Sequence, residues 1–177
     1  NFYSKNPFDG IINCAAYINV DQAEKEEESA FKINTEGLQN LIDFAEEKKL
    51  SIIHFSTDYV FDGNSSEPYP EEAATNPIGI YGNSKLKGEV RLSKSSCKNV
   101  TIRISWLFSP FGKNFVKTIA HLVKDKKELK VVDDQWGRPT YGIDLARTVL
   151  KLLSNDTLHT FPILHYGVEF SQKHEER

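Results

Sequence analysis

Tyr81 and Lys85 are the residues whose types and spacing point most directly to chemistry in this sequence. They lie four positions apart where we predict a helix to begin, so their side chains share one face of it. A lysine ammonium beside a phenol stabilises the phenolate, and lowering a tyrosine pKa from about 10 to near neutrality takes about 4 kcal/mol of such stabilisation. Tyr81 would then exchange a proton near neutral pH. Thr57, at the end of the preceding predicted strand, would hold the reacting oxygen by a hydrogen bond.

The elements that position these residues are predicted from the spacing of apolar side chains. Apolar residues recur at intervals of three and four between residues 26 and 49, with acids in front and lysines behind, which predicts a helix. Further helices are predicted from about residue 81, at 115–124 and at 141–153. Strands are predicted at residues 11–16, 51–56, 100–104 and 129–132. The polar, proline-bearing segment from Thr57 to about Ile80 is long for a connection inside one domain, and loops of that length are often functional.

Strands and helices alternate along the chain, and the predicted strands are short and apolar. This pattern predicts an α/β fold whose parallel sheet is covered by helices on both faces. Ligands of such sheets bind beyond the carboxyl ends of the strands. The segments that follow the strands are therefore the candidate binding segments: Ala15-Ala16-Tyr17, Ser56-Thr57-Asp58-Tyr59 and Ser105-Trp106.

The composition is that of an ordinary globular protein. The 177 residues are 39% hydrophobic and 27% charged, with a net charge of −3, and no basic block favours nucleic acid as a partner. No apolar run approaches the ~20 residues that cross a bilayer, so no membrane partner is predicted. Cys14 and Cys97 are too few for a disulfide framework, which favours a reducing, cytoplasmic setting. The five histidines lack metal-ligand spacing, so no metal site is predicted.

Several longer strings resemble the dTDP-4-dehydrorhamnose reductase family, a branch of the extended short-chain dehydrogenases. The resemblance covers roughly residues 8 to 153, and Ser56-Thr57-Asp58-Tyr59-Val60-Phe61-Asp62-Gly63 is its most specific string. The other strings are Asn13-Cys14-Ala15-Ala16-Tyr17, Val20-Asp21, Ala23-Glu24, Tyr81-Gly82-Asn83-Ser84-Lys85, Arg103-Ile104-Ser105-Trp106, Gly112-Lys113-Asn114-Phe115-Val116, Val131-Val132-Asp133-Asp134-Gln135 and Pro139-Thr140.

The resemblance implies a Rossmann-like fold, an NADPH or NADH cofactor and a dTDP-sugar substrate. It implies that Tyr81 protonates the C4 oxygen of the sugar as hydride arrives at C4, producing dTDP-L-rhamnose for surface polysaccharide. The implied catalytic residues are Thr57, Tyr81 and Lys85. The implied cofactor-binding residues are Cys14, Ala15, Ala16, Tyr17, Ser56, Tyr81 and Lys85. The implied substrate-binding residues are Val20, Asp58, Tyr59, Trp106, Asn114 and Arg138.

Several of these positions have plain structural alternatives. Tyr81 and Lys85 could simply open an exposed amphipathic helix, and Trp106 could be a core residue. Ala15 and Ala16 could permit close helix packing. Asp62, beside a glycine, is better explained as a turn former. Asp21 and Glu24 are better explained as partners of a helix start.

The sequence also departs from the family. None of its ten glycines forms the GxGxxG cluster that cradles a dinucleotide pyrophosphate. We therefore expect a chain that is incomplete at its N-terminus and binds a nicotinamide cofactor poorly by itself. Residues 1–155 are predicted to form a partial NAD(P)-binding domain, and 156–177 the start of a C-terminal substrate region that matches the family poorly.

Two other functions stay open at this point. One is a related sugar-nucleotide ketoreductase or epimerase of the same superfamily. The other is a non-catalytic regulatory subunit, as the beta subunit of methionine adenosyltransferase is. A homodimer is also left open, and the sequence does not decide between NADPH and NADH.

Overall fold

The computed structural model of the chain describes residues 2–125, 128–131, 135, 137–154 and 162–167. The strands are β1 (Gly10–Asn13), β2 (Ser51–Thr57), β3 (Asn99–Ile104), β4 (Leu107–Phe108), β5 (Thr140–Tyr141) and β6 (Ile163–Tyr166). The α-helices are α1 (Phe2–Lys5), α2 (Val20–Ala23), α3 (Glu27–Phe31), α4 (Gly37–Lys48), α5 (Ile80–Ser93), α6 (Phe115–Asp125) and α7 (Gly142–Ser154). A π-helical turn, Lys32–Glu36, joins α3 to α4, and a 3₁₀ turn, Asp58–Val60, follows β2.

A parallel sheet organises the described part of the chain. Its strand order is β1-β2-β3-β6, and each neighbouring pair is parallel. The register aligns Asn13 with His54, and Ser56 with Arg103, which in turn aligns with His165. Because side chains alternate between the two faces of a strand, His54 and Ser56 lie on the same face of β2. Polar side chains from four adjacent strands therefore share one face near the carboxyl ends.

Helices cover both faces of this sheet. On one face, Ile52 of β2 packs in a core cluster with Leu38 and Ile42 of α4 and Leu92 of α5. The opposite face carries a second core cluster. Ile53, Val100 and Ile102 of the strands pack there with Leu145 and Val149 of α7. The predicted α/β, Rossmann-like sheet with helices on both faces is confirmed.

The helix predicted at residues 26–49 forms as one continuous helical segment from Glu27 to Lys48. Glu27 and Glu28 lie in its first turn, where the positive end of the helix dipole favours acids. Lys49 ends it in the left-handed conformation, with φ 56°. The π-helical turn in its middle was not predicted.

Three sequence predictions of strands or helices differ from the structure, and β4, β5 and β6 were not predicted. The strand predicted at 11–16 ends at Asn13, so the next three residues form a loop. Residues 129–131 form no strand and pair with no described strand, and Val131 is 52% exposed. Val132 lies outside the described residues. The helix predicted from residue 141 begins at Gly142, because Tyr141 belongs to β5. β6, which the sequence analysis did not predict, pairs with β3.

The predicted domain boundary at residue 155 stays a prediction. None of the helices in the described ranges is both long and apolar enough to cross a lipid bilayer.

Candidate active site

Thr57 occupies the last position of β2, where the chain leaves the sheet and enters the 3₁₀ turn. Its backbone is still extended, and its side-chain oxygen accepts a hydrogen bond from the Tyr59 amide at 3.2 Å. The same hydroxyl donates to Oδ1 of Asp58 at 3.1 Å. These two bonds fix a buried hydroxyl at the carboxyl edge of the sheet.

Tyr81 lies in the first turn of α5, opposite Thr57. Its ring packs edge-on against Tyr59 with centroids 5.6 Å apart, which places its hydroxyl near the Thr57 side chain. Burial, more than the neighbouring Asp58 and Tyr59, raises the pKa of Tyr81, and the nearby Thr57 side chain opposes that rise. The phenol is therefore protonated at neutral pH, poised as a donor.

Lys85 lies one helical turn beyond Tyr81 and is 3% exposed. Its Nζ donates to the carbonyl oxygen of Phe55 at 2.7 Å and lies 3.3 Å from Nε2 of His54. Burial lowers the pKa of Lys85 to about 8, although Glu89 raises it. The sequence analysis predicted that Lys85 lowers the pKa of Tyr81, and the structure contradicts this, because burial of the phenol prevails and Lys85 is held by β2.

The predicted trio is thus assembled on neighbouring elements. Tyr81 packs against Tyr59, two residues after Thr57, and Lys85 reaches β2 two residues before Thr57. The trio does not form an exposed amphipathic helix start, since Lys85 is buried and Tyr81 is half-buried. The catalytic roles of the three residues remain predictions.

The first turn of α5 is held from outside the helix. The backbone N–H of Ile80 donates to Oε1 of Glu24 at 2.8 Å. Glu24 was predicted to serve the start of the long helix, and it instead accepts from the start of α5. Gly82 lets this turn approach the 3₁₀ turn closely, because a Cβ there would overlap the carbonyl oxygen of Tyr59.

Ser56 is a buried hydroxyl with an unusual environment. It is 4% exposed, and its Oγ has no hydrogen-bond partner among the residues that the structure describes. A buried polar group without a partner costs about 1–3 kcal/mol. Such an atom fits the prediction that Ser56 lies beneath a nicotinamide.

The predicted cofactor segment follows β1 and is largely open. Cys14 and Ala15 are exposed, and Ala16 is half-buried, so the alternative of close helix packing finds no support at Ala15. Tyr17 is fixed by Asn34 of the π-helical turn, which accepts from its backbone N–H at 2.8 Å and donates to its carbonyl at 3.1 Å. Cys14 and Cys97, the two cysteines of the chain, are both free.

The predicted substrate residues fall into two groups. Asp58 and Tyr59 directly follow Thr57 in the 3₁₀ turn, beside the trio. Burial raises the pKa of Asp58, against hydrogen bonds led by that from Thr57. Val20 opens α2 and is half-buried.

The remaining three substrate residues are organised by other contacts. Trp106 follows β3 with a left-handed backbone, φ 45°, and is 46% exposed, so it is not a core residue. Asn114 caps α6 by accepting from the N–H of Lys117 at 3.0 Å. Arg138 is exposed, and its carbonyl accepts from the Ser105 hydroxyl at 2.5 Å. None of these contacts holds Asn114 or Arg138 against the trio.

The sequence analysis missed a buried ion pair behind the site. Arg103 of β3 donates to both carboxylate oxygens of Glu89 on α5, with a shortest distance of 2.7 Å, and both side chains are 5% exposed. Nη1 of Arg103 also reaches the carbonyl of Glu71 at 3.5 Å and lies 3.4 Å from Nε2 of His165. Phe61 packs below the guanidinium at 5.1 Å. The long loop after β2 is therefore attached to the sheet through this cluster.

Asp62 stabilises a turn in the same loop, as predicted. Its Oδ1 accepts from the Asn64 backbone N–H at 3.1 Å and from the Tyr69 hydroxyl at 2.7 Å. These hydrogen bonds, with a further one from Asn76, lower the pKa of Asp62 to about 2.

Asn13 and His54 also escaped the sequence analysis. Their side chains meet across β1 and β2, with Nδ2 of Asn13 3.0 Å from Nδ1 of His54. Burial, and secondarily the charge of Lys85, lowers the pKa of His54 well below 6.5. The signal that could have found them is their position: each lies two residues before a candidate binding segment, on the same face of the sheet. Within the described ranges, no group of three or more histidine, cysteine, aspartate or glutamate side chains could hold a metal ion.

A parallel sheet with helices on both faces, and a threonine, a tyrosine and a lysine gathered at the end of β2, define a Rossmann-like protein of the short-chain dehydrogenase type. The family model described as RmlD substrate binding domain matches residues 1–174. The chain belongs to this family.

Known relatives carry the name that the sequence strings suggested. The chain is 46% identical over 142 residues to a dTDP-4-dehydrorhamnose reductase of Aggregatibacter actinomycetemcomitans, covering 80% of this chain and 48% of the relative. It resembles the crystal structure of a Bacillus anthracis dTDP-4-dehydrorhamnose reductase in complex with NADP. That similarity has a TM-score of 0.89 and 38% identity, and it covers 95% of this chain and 59% of the other.

A Clostridium acetobutylicum dTDP-4-dehydrorhamnose reductase is similar at a TM-score of 0.88 and 40% identity, again over 95% of this chain and 59% of the other. The suspected family is confirmed. The chain spans about half the length of the curated relatives it matches, 48% and 54% in two cases.

Proposed function

We propose that this chain supplies the catalytic trio of an NADPH- or NADH-dependent reductase that converts the C4 ketone of dTDP-4-dehydro-L-rhamnose into the alcohol of dTDP-L-rhamnose. The observation that carries the proposal is the gathering of the trio at the end of β2: the Tyr81 ring packs against Tyr59, two residues after Thr57, and Lys85 Nζ donates to the carbonyl of Phe55, two residues before it. The names of the relatives, and the NADP bound to one of them, support the substrate and the cofactor.

Reduction of a ketone to an alcohol needs a hydride at carbon and a proton at oxygen. A bound nicotinamide supplies the hydride. Tyr81 suits the proton-donating role because burial raises its pKa, so that the hydroxyl is protonated at neutral pH. Thr57 would hold the ketone oxygen by turning toward it the hydroxyl proton that it donates to Asp58 in this structure.

The residues present fit the nicotinamide end of such a cofactor. Ser56 offers a buried hydroxyl that has no partner among the described residues. Cys14 and Ala15 leave an exposed segment directly after β1, the strand that pairs with β2. Lys85 would bind the nicotinamide ribose, and its hydrogen bond to the Phe55 carbonyl places its amine against the strand that carries Ser56.

The substrate would lie on the outer side of the trio. Asp58 and Tyr59 extend from Thr57, and Tyr59 is 38% exposed. Val20, Trp106, Asn114 and Arg138 stay proposed contacts of the dTDP-sugar. A cytoplasmic location is proposed with the activity, and a homodimer stays a prediction.

The test is to incubate the complete gene product with dTDP-4-dehydro-L-rhamnose and either NADPH or NADH, and to follow the loss of nicotinamide absorbance. We expect oxidation of the cofactor that depends on the sugar nucleotide, with dTDP-L-rhamnose as product. A folded protein that oxidises neither cofactor would contradict the proposal and favour a non-catalytic subunit. Oxidation with other 4-keto sugar nucleotides but not this one would favour the related ketoreductase.

A further inference from the structure

His54 is the most buried titratable group near the trio that the proposed reaction does not use. It is 1% exposed, and its ring lies between Asn13 of β1 and Lys85 of α5. The separations are 3.0 Å from Asn13 Nδ2 to Nδ1, and 3.3 Å from Lys85 Nζ to Nε2. Both ring nitrogens therefore have a polar partner, and only one of them carries a proton in neutral imidazole.

The backbone of Ala15 decides which nitrogen carries that proton. Its N–H lies 3.1 Å from Oδ1 of Asn13, and a backbone N–H can only donate. The Asn13 carboxamide is thereby oriented with its oxygen toward Ala15 and its NH₂ toward His54. Nδ1 of His54 must then accept, so the proton of the neutral ring lies on Nε2.

The protonated Nε2 points at Lys85. A ring N–H bonds to the lone pair of an uncharged amine, whereas an ammonium has no lone pair and would place two donors against each other. The Lys85 amine still donates to the Phe55 carbonyl at 2.7 Å. The hydrogen bonds therefore run in one direction, from Ala15 through Asn13 and His54 to Lys85.

We propose that Asn13 and His54 are positioning residues that hold Lys85 against β2 and favour its uncharged form. The proposal deepens the proposed function, because Lys85 belongs to the proposed trio. It adds a means of controlling the protonation of the lysine. The backbone N–H of Ala15, in the predicted cofactor segment, orients the Asn13 amide, and that orientation governs how readily Lys85 carries a proton.

The other charged and titratable groups around Lys85 lie outside this chain of hydrogen bonds. They are Tyr81 and Glu89 on α5, Asp58 in the 3₁₀ turn and Arg103 on β3. Glu89 raises the pKa of Lys85 but is itself bonded to Arg103. Burial lowers the pKa of Lys85 to about 8, and a donor from His54 acts in the same direction as burial.

The test measures Lys85 directly and needs no substrate. The ¹³Cε shift of Lys85, assigned by its loss in Lys85→Met, is titrated in the unaltered protein and in His54→Gln. The glutamine amide can turn its oxygen toward the lysine and accept from an ammonium, so the midpoint should rise from about 8 toward the ordinary value of 10.5. His165→Gln is the matched control, since its ring contacts Arg103 and Tyr69 rather than Lys85, and the midpoint should stay unchanged.

A second variant reverses the hydrogen bonds without removing the histidine. Asn13→Asp keeps an acceptor for Ala15 but also accepts from Nδ1, which moves the proton of the ring away from Nε2. The Lys85 midpoint should rise, and by more than it does when the same change is made in a His54→Phe background, where only the added charge acts.

The imidazole ¹⁵N shifts of the unaltered protein give a third measurement. We expect Nε2 to carry the proton and Nδ1 to lack it at a pH above the Lys85 midpoint. A protonated Nδ1, or a Lys85 midpoint that does not rise in Asn13→Asp, would overturn the proposal. Neither measurement uses His54→Gln, so both remain decisive even if that variant does not fold. These readouts are separate from cofactor oxidation, so this proposal and the proposed reductase activity can fail independently.

Discussion

The buried pair of Glu89 and Arg103 gives the most demanding test of how this fold is held together. Three N–H···O contacts of 2.7 to 3.2 Å join the two side chains, each only 5% exposed. Glu89→Gln keeps the size of the side chain and removes its charge. The guanidinium then stays buried with a neutral amide that accepts one hydrogen bond well.

The expected cost follows from that uncompensated charge. Removing one partner of a buried ion pair typically costs about 3–5 kcal/mol. Because the glutamine keeps one acceptor, we expect a loss of about 3 kcal/mol in the free energy of unfolding. For a chain of this size, that corresponds to a fall in Tm of roughly 6–12 °C.

Urea denaturation followed by far-UV circular dichroism at pH 7 measures this loss. The matched control is Asp144→Asn, which removes the charge from an exposed pair with Arg147 at 2.9 Å, whose side chains are 49% and 70% exposed. The control should change the free energy of unfolding by no more than about 0.5 kcal/mol. Equal costs for the two variants would refute the reasoning, because burial would then make no difference.

The same substitution should also release the loop that Arg103 holds. Its Nη1 reaches the Glu71 carbonyl, and His165 joins its backbone N–H to the Glu71 carboxylate at 3.0 Å. We expect limited proteolysis of Glu89→Gln to cleave first between residues 61 and 79, and the Asp144→Asn control to resist under the same conditions.

Three further predictions concern the elements around the trio. Gly82→Ala should lower the free energy of unfolding, measured by urea denaturation, by about 1–3 kcal/mol, because the added Cβ meets the Tyr59 carbonyl. Gly37→Ala is the control: its Cβ would lie 3.5 Å from the nearest atom, so the free energy of unfolding should rise by up to about 1 kcal/mol. Since the pKa of His54 lies well below 6.5 in the folded chain, the unfolded chain binds the extra proton, and the free energy of unfolding should fall as pH drops below 6.5, by up to about 1.4 kcal/mol per pH unit. His54→Gln should remove this dependence of the free energy of unfolding on pH. Urea denaturation at several pH values between about 4 and 7, around and below the ordinary pKa of histidine, measures it. Tyr81→Phe in the complete gene product should reduce turnover by at least ~10²-fold with little change in Tm, and unchanged turnover in the absorbance assay would remove this phenol from the mechanism.

Local signals in the sequence predicted most of the elements. The intervals of three and four between apolar residues, with acids in front, predicted the helical segment Glu27–Lys48, because an amphipathic helix has that period whatever it packs against. Short apolar runs predicted β2 and β3 within one residue. The strand predicted at 129–132 does not form over residues 129–131. A strand also needs a neighbouring strand to pair with, and a short apolar run does not specify that neighbour.

The candidate site was predictable only as a set of residue types at the strand ends. Tyr81 and Lys85 share a helix face by spacing alone, and Thr57 was expected directly after a strand. The spacing did not show that burial would raise the pKa of Tyr81 and lower that of Lys85, because the packing of the remaining chain decides how much water each group loses.

The sequence by itself determined where the long helices and the strands β2 and β3 form, and which family the chain resembles, since both depend on residues close together in the chain. Only the tertiary structure decided which distant groups meet. His54 and Lys85 are 31 positions apart, and Arg103 and Glu89 lie on different elements of the fold. Their contacts depend on the register of three parallel strands and on the position of α5 across them, and no local pattern of residues encodes that alignment.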